Sequence, residues 1–197
     1  MIASLITITN LCCGLLVLTN THSLEDQARL ILLGSFLDCI DGGIARITNT
    51  TSQWGARLDH LADFVTFGLG VVSMINFYYN HQYSNFNLEG IFYVQYFCWI
   101  LVNLYRELSK SSRSDGNYRG CPTPFASGLI STGILFISNK STILELWIVI
   151  SVPACIYLMI SDLTYIHDRL VELNPIGSFK GFYNFLTFEF IFSKFFS

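Results

Sequence analysis

The stretch FLDCIDGGIARITNTTSQWGARLDHLADF, residues 36–64, carries four aspartates, Asp38, Asp41, Asp59 and Asp63, between strongly apolar flanks. A carboxylate at the centre of a membrane helix costs about 2.5–3.5 kcal/mol on insertion scales, so such residues persist where they face a bundle interior or a polar cavity. Each helical residue advances about 100° around the axis. Asp38 and Asp41, three positions apart, therefore project about 60° from one another. Gly42 and Ala45, each four positions beyond one of these aspartates, share their face. Gly55, Asp59 and Asp63 follow at four-residue intervals and form a second stripe. Four carboxylates gathered in one dry site repel and are driven toward protonation. One or two divalent cations remove that conflict, and an all-oxygen donor set suits Mg²⁺ or Mn²⁺, with no Cys/His set for zinc. Gly42 and Gly55 leave room for a ligand against the backbone, and Arg46 offers a planar fork for a phosphate. The competing reading pairs the aspartates with Arg46 and Arg57 as buried salt bridges. Two matched stripes with glycines on the same faces favour the metal site.

Two helices must hold these stripes, and the rest of the chain says in what solvent. Of 197 residues, 52% are hydrophobic and 13% charged, about half the charge of an ordinary soluble domain. Mean hydropathy is +0.48, and apolar runs recur along the chain. A bilayer core of about 30 Å takes about 20 apolar residues per helix. Six spans are predicted at Ala3–Leu18, Ala28–Ile47, Ala56–Tyr79, Ile91–Leu108, Thr123–Ile137 and Ile143–Ile160. The net charge of −3 supplies no basic field for nucleic acid. The six cysteines form no CxxC pair and read as small buried hydrophobes in a reducing setting. The first apolar run has no basic leader and is read as retained rather than cleaved. The tail FKGFYNFLTFEFIFSKFF, residues 179–196, mixes aromatic rings with sparse charges and reads as an interfacial segment.

Orientation follows from Lys and Arg. Six spans put Arg46, Arg57, Arg106, Lys110, Arg113, Arg119, Arg169, Lys180 and Lys194 on one side and only Arg29 and Lys140 on the other. That bias places both termini and the acidic stripes at the cytoplasmic face.

The string D-x-x-D-G-x-x-A-R-x8-G-x-x-x-D-x-x-x-D is met at every fixed position, by Asp38, Asp41, Gly42, Ala45, Arg46, Gly55, Asp59 and Asp63. It resembles the signature of the CDP-alcohol phosphatidyltransferases. The resemblance implies a six-helix membrane fold, a homodimer, a pair of divalent ions (Mg²⁺ or Mn²⁺) and a CDP-linked lipid substrate such as CDP-diacylglycerol. It implies that the first three aspartates hold the metals, that Asp63 shares one and acts as general base, and that Gly42, Ala45, Arg46 and Gly55 line the CDP moiety. The family domain is expected over residues 1–165, leaving 166–197 as the tail.

Three further stretches bear on the acceptor alcohol. LITITNLCCGLL near the N-terminus, YRGCPTPFASG at 118–128 and LMISDLTY at 158–165 resemble segments of the bacterial and archaeal phosphatidylserine synthases. NLYRELSKSS places Arg106 where that group carries an arginine, but departs from its context at Tyr105 and Glu107. Phe125 is a second departure. The resemblance implies L-serine as acceptor and phosphatidylserine as product in a cytoplasmic membrane. Arg106 and Arg119 are candidates for the serine carboxylate, or else enforce topology. Glycerol 3-phosphate, an inositol compound or choline remain alternative acceptors. A metal-ion carrier is the rival of another class, but it would spread its carboxylates through the membrane depth.

Some polar residues carry less. His60, about 100° from Asp59, reads as a packing or interfacial residue. Asn10, polar in an apolar run, either reaches the nucleotide site, as the resemblance would allow, or bonds a neighbouring helix. Asp162 reads as an interfacial charge. Thr51 and Ser52 fit a turn, and Pro122 and Pro124 fit a helix start.

Overall fold

The computed structural model describes residues 2–47, 52–81, 89–112, 120–137 and 141–161, and these are helical throughout apart from short caps and turns. In chain order the elements are α1 (Ile2–Leu18), α2 (Leu24–Ile47), α3 (Gln53–Asp63), a π-helical segment (Phe64–Leu69), α4 (Gly70–His81), α5 (Glu89–Ser112), α6 (Thr123–Ile137) and α7 (Ser141–Ile160). The tail from 162 onward lies outside the described residues.

Local sequence explains the boundaries. Asn20, at φ 54°, ends the first helical rod in the left-handed region that asparagine tolerates. Ser23 caps α2: its hydroxyl accepts from the Asp26 backbone N–H at 3.2 Å and donates to the Asp26 carboxylate at 2.7 Å. This cap starts the helix four residues ahead of the predicted Ala28. Ser52 caps α3 in the same manner, accepting from the Gly55 N–H at 3.0 Å. Pro122 and Pro124 sit at the start of α6, where a missing N–H costs nothing.

The third predicted span is a single rod, Gln53–His81, with a π turn in its middle. There the Gly70 N–H bonds the Val65 carbonyl, five residues back. Trp99 of α5 donates its indole N–H to the Phe67 carbonyl at 2.9 Å, and the Thr66 hydroxyl donates to the Asn10 carbonyl at 3.0 Å. The widened turn is thus stitched to its neighbours by side chains.

Packing runs in a ring. α1 lies along α2, α2 against α6, α6 against α7, α7 against α5, and α5 against the π segment, which returns to α1. α3 packs against α1. The interior holds Ile31, Phe67, Met74, Trp99, Ile130 and Ile148, but also Thr7, Asn10, Gln27, Asp41, Asp63, Arg106, Glu107 and Glu145. The outside carries Leu5, Ile8, Tyr93, Phe97, Leu101, Leu104, Ile150 and Tyr157. Polar groups within and large apolar groups without suit a lipid solvent. Among the described residues, Gln53–His81 and Thr142–Ile160 are long and apolar enough to cross a bilayer, while Ser4–Leu18 and Thr123–Ile137 are apolar but shorter.

Candidate active site

α1 and α2 run side by side, and the polar end of their interface is built around Asp41. The Thr7 hydroxyl donates to Asp41 Oδ2 at 2.6 Å, both residues being buried. That bond fixes the carboxylate's rotamer from across the helix pair. Asp38 lies beside it on the same face, and α3 brings Asp59 from the other side. One carboxylate oxygen from each of Asp38, Asp41 and Asp59 falls within 4.8 Å of the others. The two stripes anticipated from sequence therefore do converge through three of their four carboxylates. Asp63 stands outside that trio, one turn further along α3 and buried to 3% exposure.

The trio suits a hard divalent cation. Three carboxylates at this separation repel one another, a divalent cation between them would relieve that repulsion, and oxygen donors of this charge match Mg²⁺ or Mn²⁺. Arg57, offered by sequence as a salt-bridge partner, lies instead over the exposed Trp54 ring at 5.6 Å. Gly42, Ala45 and Arg46 occupy the last turns of α2, directly beyond Asp41, and their side chains lie outside the described residues. Gly55 occupies the first turn of α3, its N–H taken by Ser52.

Beneath the trio three backbones meet. A Cβ on Gly14 would stand 2.5 Å from Thr66 Oγ1 and 2.8 Å from Thr66 Cα. A Cβ on Gly34 would stand 2.7 Å from Asn10 Oδ1 and 2.8 Å from Thr66 Cγ2. Glycine at these two positions lets α1, α2 and the π segment close the floor of the site.

A second polar cluster flanks α3. His60 Nδ1 lies 3.1 Å from Glu107 Oε2 of α5, and Glu107 is buried. Arg106 is also buried and donates Nη1 to the Met159 carbonyl at 2.6 Å. Gly120, at φ 82°, fits against that same carbonyl and the Arg106 guanidinium, and any side chain there would collide with Met159. The Cys121 N–H bonds the Leu158 carbonyl at 2.9 Å. Arg106, the 120–128 stretch and the end of α7 are thus one structural unit. Arg119 lies outside the described residues.

Thr7, Glu107 and the π turn are not marked in the sequence as parts of the site. A threonine in an apolar run carries no period of its own, and Glu107 reads as one charge near a helix end. His60, judged by its angle from Asp59, is only about 60° from Asp63 and shares that side of α3.

A family model described as CDP-alcohol phosphatidyltransferase matches residues 1–162. The CDP-diacylglycerol–serine O-phosphatidyltransferase of Bacillus subtilis is 30% identical over 173 residues, which cover 85% of this chain and 91% of that one. The protein of the same name in Methanocaldococcus jannaschii is 31% identical over 167 residues, 83% of this chain and 73% of that one. A Helicobacter pylori protein of that name is 30% identical over 119 residues, 59% of this chain, and the match spans only 48% of its own length. The acidic trio, its flanking glycines and the helical ring all fall within the matched residues, and this chain belongs to the CDP-alcohol phosphatidyltransferase family.

Proposed function

We propose that this protein transfers the phosphatidyl group of CDP-diacylglycerol to L-serine, releasing CMP and forming phosphatidylserine. The observation that carries the reaction class is the convergence of Asp38, Asp41 and Asp59 within 4.8 Å, in a chain that the family model spans from 1 to 162. Serine is supported by the names of the relatives above and by the closeness of the Arg106 guanidinium to Gly120, at the start of the 120–128 stretch.

The chemistry runs as an in-line displacement at the phosphorus next to the lipid. Two divalent cations, when bound, would neutralise the pyrophosphate and polarise the phosphoryl oxygens. Asp38, Asp41 and Asp59 would hold them, with Asp63 sharing one. Gly42, Ala45, Arg46 and Gly55 would line the cytidine diphosphate, Arg46 by forked hydrogen bonds to phosphate. The serine hydroxyl oxygen forms the new P–O bond, the bond to CMP breaks, and the hydroxyl proton passes to Asp63. Arg106 and Arg119 would orient the serine carboxylate. We read the chain as six spans of a homodimer in a cytoplasmic membrane, with both termini and the site on the cytoplasmic side. On this reading residues 1–165 form the catalytic domain and 166–197 an interfacial tail.

Acceptor profiling tests the reading. Purified protein with CDP-diacylglycerol and Mn²⁺ should consume serine in preference to glycerol 3-phosphate, inositol phosphate or choline, and the Asp63→Asn variant should not. Turnover with glycerol 3-phosphate but not serine would refute the acceptor and leave the reaction class standing.

A further inference from the structure

Asn10 is fully buried in α1, and neither amide atom has a hydrogen-bond partner among the described residues. Its backbone carbonyl accepts from the Thr66 hydroxyl at 3.0 Å. An unsatisfied buried amide costs about 1–3 kcal/mol for each lost bond, and an apolar side chain would avoid that cost. The carboxamide's surroundings indicate what it faces. Its Oδ1 rests against Gly34, which precedes Asp38 by one turn on the same face of α2. Thr7, one turn before Asn10 on α1, bonds Asp41. Thr66, against which Asn10 also packs, follows Asp63 by one turn. On all three helices an acidic residue or its partner therefore stands one turn above the Asn10 amide. A Cβ built on Gly34 would meet Asn10 Oδ1 at 2.7 Å, Thr66 Cγ2 at 2.8 Å and the Phe67 ring at 3.7 Å, so the absence of a side chain there is what lets the amide lie against α2, one turn below Asp38.

We propose that the Asn10 carboxamide is the inner wall of the divalent-cation site, hydrogen-bonding a water that the cation holds on its membrane-facing side. The inference rests on the trio of Asp38, Asp41 and Asp59 binding such a cation. It assigns Asn10 a positioning role, completing from α1 a ligand shell otherwise supplied by α2 and α3. Outer partners of this type change metal affinity by about 10–100-fold when removed.

The test is Mn²⁺ binding to the detergent-purified full chain, read by the loss of the free-ion electron spin resonance signal, without substrate or turnover. Asn10→Ala is expected to weaken binding about tenfold, while Asn10→Asp, which keeps an oxygen in place, binds at least as tightly as wild type. In metal-free protein Asn10→Ala should melt no lower than wild type, because it removes an unpaired amide. Unchanged Mn²⁺ affinity in Asn10→Ala would overturn the proposal. So would a lower metal-free melting temperature or loss of fold, either of which makes Asn10 a structural residue. Asp59→Asn serves as control: if it too binds Mn²⁺ normally, the cation reading of the trio fails, rather than the role of Asn10 alone.

Discussion

At the scale of single residues, the four aspartates divide by position. Asp38, Asp41 and Asp59 are close enough to share a cation, whereas Asp63 is set one turn deeper and buried. Removing a general base usually costs about 10²–10⁴ in rate. Asp63→Asn should therefore fold, bind Mn²⁺ and lose kcat by about that factor, as measured by CMP release. Retention of most activity would remove it from the base role. The Thr7 hydroxyl donates to Asp41 and orients its carboxylate. Thr7→Val keeps the shape and removes the bond, so the Mn²⁺ concentration for half-maximal activity should rise about tenfold or more. The aspartates were legible from sequence because their spacing matches a helical period. Thr7 and Glu107 were not, since each acts through a partner on another helix, 34 and 47 positions away along the chain.

Between elements, glycine and the π turn decide how closely the rods approach. Gly14 faces Thr66 so tightly that Gly14→Ala must push backbone apart. Overpacking of this sort costs about 1–3 kcal/mol, and the variant should melt measurably lower in detergent than wild type. The Phe67 carbonyl also accepts from the Trp99 indole at 2.9 Å in the interior. Trp99→Phe removes that bond and should destabilise by about 0.5–1.5 kcal/mol, with amide exchange in the π segment accelerated most. At the opposite end of α2, the Ser23 hydroxyl holds the exposed Asp26 carboxyl below the usual carboxylate range, with Arg29 assisting. A lowered folded value means that this contribution is present above the unfolded pKa and fades as pH falls through the folded one. In Ser23→Ala, the Asp26 titration should move back up toward the ordinary value. The helices themselves were readable from apolar runs, but the π turn was not. Its sequence, FVTFGL, is as apolar as its neighbours, and the extra residue per turn is stabilised by Trp99 and Thr66 contacts made far along the chain.

For the whole molecule, the distribution of polarity matters more than any one contact. Charged residues such as Asp41, Asp63, Arg106, Glu107 and Glu145 are inside, and rings such as Tyr93, Phe97 and Tyr157 are outside. That inversion was foreseeable from composition, and the order of the rods was foreseeable in part. What composition could not supply was the closure of the ring, in which α2 packs on α6 and α5 on the π segment. That closure ties Arg106 to the Met159 carbonyl, 53 positions away in the chain, next to the Glu107 that meets His60 of α3. The central claim is that these rods exist to hold a divalent-dependent phosphatidyl-transfer site. Its most direct measurement is CMP release from CDP-diacylglycerol by the purified chain, titrated with Mn²⁺, for wild type and Asp59→Asn. Release should require the ion, stop with chelator, and need at least about 10–100-fold more Mn²⁺ in the variant, since a direct ligand weighs no less than an outer partner. Equal release in the presence of chelator, or an Asp59→Asn protein indistinguishable from wild type, would contradict the account.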